Sequence, residues 1–373
     1  MVKFGFGGLL HLSFCERTRM VKKLMKLPPV GSSALVIPLG ASSVLAIVAG
    51  VVAVVGVSSL HKRRVDRDAA SAASSGAATK ATQVAVGLLN VHVPQNFRDL
   101  VKNDVLVEKA IESVAQSLII YVSGRDKHEI VNYTSELYCL VWDVACLQGK
   151  PLLDIRIVGG FANEQLQSWT DLVLLPELNA VFGEDALVDV QRLNAQRFEK
   201  DGLFAVTYHP LSMHVERRLS PEFKYFENEH TDLTPHDIVI LGGTFDHLHN
   251  GHKKLLSLAA SICARKMVVG VTSDKMLTKK SHAELIDPLE KRKQSVRDYV
   301  LFLKPQLVLD VVTIEDPFGP AITIPQPAAL VVSTETILGA AKINTIRVER
   351  GLPKAHIYVC RRTESMRIGL LND

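Results

Sequence analysis

Along most of the chain, short apolar runs alternate with stretches in which apolar residues recur every three or four positions. The first pattern suits buried strands and the second amphipathic helices. VAVGLLNVHV (85–94) reads as a strand, VLVEKAIESVAQ (105–116) as a helix and SLIIYV (117–122) as a second strand. A long helix over 128–147 follows, then LLDIRIV (152–158) and DLVLL (171–175) as further buried strands. The polar stretch NEHTDLTP (228–235) breaks the pattern, which then resumes with a strand at 237–241, a helix at 252–264 and a strand at 266–271. A helix at 289–303, strands near 307–313 and 329–332, a helix at 335–350 and a strand at 356–360 complete it. Gly351 follows that last helix where a C-terminal glycine is favoured. Strand–helix–strand units of this length are parallel crossovers. The chain is therefore expected to hold two α/β domains, at 85–230 and 235–373. The second is a doubly wound parallel sheet, in which ligands bind beyond the carboxyl ends of the strands.

The pattern fails before residue 85. Residues 34–60 carry no charge over 27 positions, which is long enough to cross a bilayer at about 20 residues per span. They are expected to form a transmembrane helix after a basic N-terminal segment, 1–33. An Ala/Ser-rich linker, 61–84, is a flexible spacer. Net charge by segment is +5 for 1–33, +3 for 61–84, −9 for 85–234 and +5 for 235–373. Basic residues flank the apolar segment on both sides, so the positive-inside rule gives no strong orientation. A moderately apolar anchor with basic flanks is like those of the mitochondrial outer membrane, with the soluble bulk facing the cytosol. The alternative is an import signal and an inner-membrane or matrix destination.

The five cysteines, Cys15, Cys139, Cys146, Cys263 and Cys360, form no CxxC pair, which argues against a disulfide framework or a zinc ribbon. The basic last segment lacks aromatic platforms and long basic runs, so no nucleic-acid partner is expected and a small phosphorylated ligand is. The acidic 85–230 domain shows no catalytic constellation; a protein partner is its expected ligand.

The chemistry concentrates in LGGTFDHLHNGHKKLL (241–256), at the end of one predicted strand and the start of the next helix. Gly242 and Gly243 permit a turn and close backbone approach, and Thr244 offers a hydroxyl to a phosphate oxygen. The amides of the helix N-terminus favour an anion. His249 and His252 face it from the first turn, and Gly251 leaves the approach open. A zinc reading needs a third ligand, and no Cys or further His is placed to supply it. Thr244, Asp246 and Asn250 also suit plain turn and cap positions.

As a set, GGTFDHLHNGH resembles the nucleotidyltransferase signature GxFDxxHxGH, and in particular the phosphopantetheine adenylyltransferases. VVGVTSDKMLTKK (268–280), PLEKRKQSVRDYV (288–300) and LVVSTETILGAAKINTIRVERGL (330–352) extend the likeness over about 120 residues. The arrangement with an acidic preceding domain is similar to that of the animal bifunctional coenzyme A synthases. The resemblance implies a Rossmann-like nucleotidyltransferase fold and transfer of AMP from ATP to 4′-phosphopantetheine, with Mg²⁺ accompanying ATP. It implies that Thr244 positions phosphates, His252 stabilises the transition state and His249 meets the nucleotide phosphates. Lys279 or Lys280 bridges the acceptor phosphate, with Lys275 in reserve. Gly242, Gly243, Phe245, Gly251, Glu335, Asn344 and Arg347 complete the nucleotide side. The family's I-S-S-T-like motif after the strand HIYVC and the kinase motif GxxxxGK[ST] of the bifunctional enzymes are not found. The resemblance therefore also implies a shortened form without dephospho-CoA kinase activity. The competing expectation is an impaired or non-catalytic tethered isoform that acts by binding.

Overall fold

A computed structural model describes residues 83–160, 166–183, 190–211, 232–278, 280 and 282–361. The expected membrane segment 34–60, the basic N-terminus and most of the linker lie outside the described residues. Among the described residues no helix is long and apolar enough to cross a membrane.

Among the described residues there are two five-stranded sheets, all of their pairings parallel. The first contains β1 (Val84–His92), α1 (Phe97–Ser113), β2 (Val114–Ser123), α2 (Lys127–Leu147), β3 (Asp154–Gly160), α3 (Trp169–Val173), β4 (Ala180–Gly183), α4 (Val190–Asp201) and β5 (Thr207–Pro210). Its strand order is β3-β2-β1-β4-β5. The second contains β6 (His236–Gly243), α5 (Asn250–Ile262), β7 (Cys263–Thr272), α6 (Asp274–Leu277), α7 (Leu289–Leu303), β8 (Val308–Ile314), β9 (Ala329–Ser333), α8 (Ile337–Glu349) and β10 (His356–Cys360). Its order, read from the corresponding edge, is β8-β7-β6-β9-β10.

Central parallel strands are covered on both faces, which is why they read as apolar runs rather than alternating ones. Leu88, Leu89, Val239 and Val269 are all fully buried. One core joins the two sheets: Leu88, Ile119, Val131 and Val158 of the first share it with Leu256, Leu258, Val296 and Leu303 of the second. The free cysteines among the described residues (Cys139, Cys146, Cys263 and Cys360) form no disulfide.

The main elements of the second sheet appear where the periodicity puts them. The first departs more: the pattern does not predict β4, α4 and β5 at all, and two of the predicted elements fall elsewhere. Helix α1 begins at Phe97, ahead of the expected 105, because the Asn96 side chain caps it by accepting the Asp99 amide at 3.0 Å. The apolar DLVLL run, expected as a strand, begins inside the helical turn α3. Ser168 Oγ accepts the Asp171 amide at 3.2 Å, while the Asp171 carboxylate accepts the Ser168 amide at 3.0 Å. This reciprocal capping box satisfies two amides that a strand would have to pair elsewhere, and it outweighs the β-preference of the sequence.

The hydrogen bonds from Ser168 hold the Asp171 carboxyl below the usual carboxylate range. A depressed folded-state pKa stabilises above the unfolded pKa and loses that contribution as pH falls through the folded value. Ser168→Ala should cost about 1 kcal/mol in urea denaturation at neutral pH. It should also move the Asp171 titration, followed by carboxyl NMR, up toward the ordinary range. An unmoved titration would show that the box does not set this carboxylate.

Candidate active site

The distinctive backbone of this site lies between β6 and α5. Gly242 and Gly243 belong to strand β6, so they do not form the turn expected of them. The reversal is made by Phe245 at φ 51° and His247 at φ 46°, both left-handed. Such a conformation costs a bulky residue roughly 1–2 kcal/mol, so something must hold it. Phe245 is fully buried, which anchors the turn in the core. A side chain on Gly243 would meet the Phe245 ring at 3.3 Å, and the same ring lies 5.2 Å from that of His252. The Phe245 ring is therefore a support beneath the site, and any contact it makes with a nucleotide is left to its main chain.

Helix α5 starts at Asn250 with His249 as its cap. His249 Nδ1 accepts the His252 amide at 3.4 Å, and the two rings stack at 3.8 Å and 24°. An imidazole that accepts through Nδ1 carries its proton on Nε2 when neutral, which makes that nitrogen a donor. Gly251 lies between them in the first turn, where unsatisfied amides and the helix dipole favour an anion. Across the loop, Lys280 Nζ donates to Thr244 Oγ1 at 3.0 Å. The Thr272 hydroxyl donates to the Gly243 carbonyl at 3.1 Å, joining the ends of β6 and β7. These groups share the carboxyl edge of the second sheet.

One residue that holds this edge lies inside the stretch 288–300, where the residue pattern does not single it out. The Arg292 side chain is fully buried. Its guanidinium donates to the carbonyls of Thr244 at 2.8 Å, Thr272 at 2.9 Å and Asp287 at 2.8 Å. It also pairs with Asp274 at 2.6 Å. Three separate segments are thus tied to one planar fork of donors. Buried Asp246 continues the network: its Oδ1 accepts the Asp287 amide at 2.9 Å and lies 2.7 Å from His247 Nδ1.

Asp246, His247 and Asp287 bring possible ligand atoms within 4.8 Å of one another. They do not fit Mg²⁺, which demands a near-octahedral oxygen shell and keeps several waters. The Asp246 side chain has no exposure, and its Oδ1 is already engaged by an amide and a ring nitrogen.

The remaining candidates divide. Glu335 lies in the 3-10 turn Thr334–Thr336, directly after β9 at the same carboxyl edge. Lys275 is exposed and 3.7 Å from Glu315. Lys279 lies outside the described residues. Asn344 and Arg347 depart from the nucleotide role expected of them. Asn344 exchanges both amide hydrogen bonds with the main chain of Ala355, at 2.9 and 2.8 Å. Arg347 is fully buried and donates to the carbonyls of Pro353, Ala321, Ile324 and Gln326. Their capacity is spent on holding loops, because a buried carbonyl left without a donor is costly.

The Cytidylyltransferase-like family model matches residues 240–368, the portion that contains this site. Over 137 residues the chain is 39% identical to the phosphopantetheine adenylyltransferase of Thermococcus gammatolerans, covering 36% of this chain and 83% of that protein. The chain belongs to the phosphopantetheine adenylyltransferase family. Within that family it is 38% identical over 128 residues to the enzyme of Saccharomyces cerevisiae, covering 34% of this chain and 42% of the yeast protein. A longer match is to an uncharacterized protein of Schizosaccharomyces pombe, 32% identical over 281 residues, 70% of this chain and 84% of that one. That length is about twice the span of 235–373, so the likeness extends back into the first sheet.

Arg292→Met keeps the length of the side chain and removes its donors. It strands buried carbonyls of three segments, so a loss of about 3–5 kcal/mol is expected in urea denaturation. A loss below about 1 kcal/mol, within the range of an ordinary surface substitution, would show that Arg292 does not hold this edge.

Proposed function

We propose that this chain transfers AMP from ATP to 4′-phosphopantetheine, giving dephospho-CoA and pyrophosphate. The observation that carries the reading is the Lys280–Thr244 contact at 3.0 Å on the same carboxyl edge as the stacked His249 and His252. A cation and a hydroxyl lie on the loop side, with two imidazoles and a helix N-terminus on the other. Such an edge suits two phosphate groups brought together in line.

An oxygen of the acceptor phosphate attacks the α-phosphorus of ATP. A new P–O bond forms on the acceptor as the bond to the β-phosphate oxygen breaks, and pyrophosphate leaves with that electron pair. Charge builds on the oxygens of the five-coordinate α-phosphorus. His252, at the third position of α5, donates to it, and the first-turn amides add donors that need no reorganisation. Lys280 neutralises the acceptor phosphate and Thr244 orients it, which converts part of the entropic barrier into binding. His249, held by its cap bond, presents Nε2–H to the nucleotide phosphates. No covalent enzyme intermediate is needed. ATP would bring Mg²⁺ as its counterion, which would lower the charge of the polyphosphate.

Residues 34–60 are proposed to tether the chain to the mitochondrial outer membrane with both α/β modules facing the cytosol, on the strength of their uncharged length. Shared family membership and the acidic preceding module support an arrangement of the coenzyme A synthase kind.

The direct test is pyrophosphate release from ATP and 4′-phosphopantetheine with the full chain. His252→Ala should lower kcat about 10²–10³-fold, and Lys280→Met should lower kcat/KM for 4′-phosphopantetheine with little change in KM for ATP. Equal background rates from the wild type and His252→Ala would sink the reading. For the tether, alkaline extraction of membranes should leave the full chain in the pellet and a chain lacking 34–60 in the supernatant. Recovery of both in the supernatant would remove it.

A further inference from the structure

The two sheets have the same strand order when each is counted from its own first strand: third, second, first, fourth, fifth. That order is common in doubly wound folds and carries little by itself. Finer details do more. In each sheet the first helix runs into the second strand with no residue between them, Ser113 to Val114 and Ile262 to Cys263. In each, the first strand pair is interrupted at the same step. Val84 pairs with Val114 and Val86 with Ser117, while His236 pairs with Cys263 and Ile238 with Lys266. Bulges are specific features of a fold, seldom placed twice by chance.

The side-chain devices repeat as well. Ser123 Oγ lies 3.3 Å from the Val91 carbonyl, where Thr272 Oγ1 donates to that of Gly243. On the last helix of each sheet, an asparagine and an arginine three residues later do the same two jobs. Asn194 exchanges amide hydrogen bonds with the Val206 main chain, as Asn344 does with Ala355. Arg197 is fully buried like Arg347, donating to the carbonyls of Phe204, Val173 and Leu175. Both helices are followed by a left-handed glycine, Gly202 at φ 62° and Gly351 at φ 74°. The register aligns LNAQR (193–197) with INTIR (343–347).

Placing one sheet's register on the other shows what the first has lost. Asn90, Val91 and His92 stand where the second has Gly242, Gly243 and Thr244. The connection to the helix is 93–96 in place of 244–249, leaving no counterpart of the left-handed turn. Asn96 caps α1 as His249 caps α5, and the amide it accepts belongs to Asp99, at the position of His252. Asp99 Oδ2 accepts from the Gln95 amide at 3.2 Å and from Asn96 Nδ2 at 3.0 Å. A carboxylate thus occupies the helix N-terminus that binds the anion in the other sheet, and like charge excludes a phosphate there.

What the first sheet supplies is a grip on α5. Lys253, next to His252, is 6% exposed. Its Nζ reaches 2.5 Å from Asp154 Oδ1 and 2.8 Å from the Ile155 carbonyl, both on β3. Arg156 pairs with the other oxygen of Asp154 at 2.8 Å and stacks on Phe302 of α7 at 4.7 Å. Tyr138 of α2 bonds to Tyr299 of α7 and lies 3.3 Å from Ser257 of α5. A lysine so buried can turn only with its helix, and the adjacent imidazole turns with it.

We infer that the first α/β module is a divergent second copy of the nucleotidyltransferase module, which has lost its phosphate site and serves as an internal partner that fixes the orientation of the histidine helix through Asp154 and Lys253. Asp154 is a positioning residue, acting on the reaction through Lys253 and α5 and not by touching substrate. The inference uses the proposed adenylyl transfer as its readout, and two measurements keep the failures apart. Isothermal titration with α,β-methylene-ATP should give one site per full chain. Two sites would overturn the loss of phosphate binding in the first copy, while zero would remove the adenylyl-transfer reading and the positioning task with it. Asp154→Asn should lower kcat about tenfold while KM for ATP stays within about twofold, since a small misplacement costs rate more than binding. Asp154→Asn combined with Lys253→Met should be no worse than Lys253→Met alone, because residues acting as one unit are not additive. An unchanged kcat in Asp154→Asn, or additive losses in the double variant, would overturn the positioning role. The titration on the unaltered chain stands even where a variant fails to fold.

Discussion

The phosphate edge depends on a single buried guanidinium. The carbonyls of Thr244, Thr272 and Asp287 belong to three segments that converge below the site, and Arg292 donates to all three. A carbonyl removed from water without a donor costs about 1–3 kcal/mol. With these three satisfied, the loop can hold the left-handed turn at Phe245 and His247 that delivers the chain to α5. Thr244 then lies within reach of Lys280, and His249 reaches its cap position over His252. The preorganisation of this edge is thus supplied by a residue whose donors are bound to main-chain carbonyls and a carboxylate.

The contact between the sheets adds a second constraint. Burying Lys253 strips water from its ammonium, and such a charge is tolerated only with a partner and further hydrogen bonds. Asp154 and the Ile155 carbonyl provide them. Desolvation works to raise the Asp154 carboxyl, but the adjacent Lys253 and Arg156 charges outweigh it and hold the group below the usual carboxylate range. Apolar side chains packed at this seam could slide against one another. A buried ammonium held by a half-buried carboxylate and a carbonyl permits fewer alternative arrangements than apolar packing alone.

Much of this was legible in the residue pattern, and the line between legible and illegible follows sequence distance. The main elements of the second sheet and the HNGH segment at a helix N-terminus depend on contacts within a few residues, so periodicity and capping chemistry reveal them. The helical turn at Ser168–Asp171 was legible on the same principle, but its apolar continuation reads as a strand. Phe245 sits inside a nucleotide-site motif, and only the fold shows that its ring lies beneath the site. Arg347 and Asn344 read as a polar helix face. Their real partners are main-chain atoms of loops, and a carbonyl has no letter in the sequence.

The sequence by itself determined the fold class and the chemistry of this protein: a parallel α/β sheet in which a strand ends in glycines and a threonine, the helix after it opens with paired histidines, and lysines lie on the next loop. These are properties of local spacing and residue type. Tertiary structure alone showed that Lys280 meets Thr244, which arginine holds the edge together, and that the acidic first module contacts the histidine helix of the second. Those outcomes depend on satisfying buried charges and carbonyls between segments up to about a hundred residues apart, such as Asp154 and Lys253. The chain must close on itself before those groups have any partner at all.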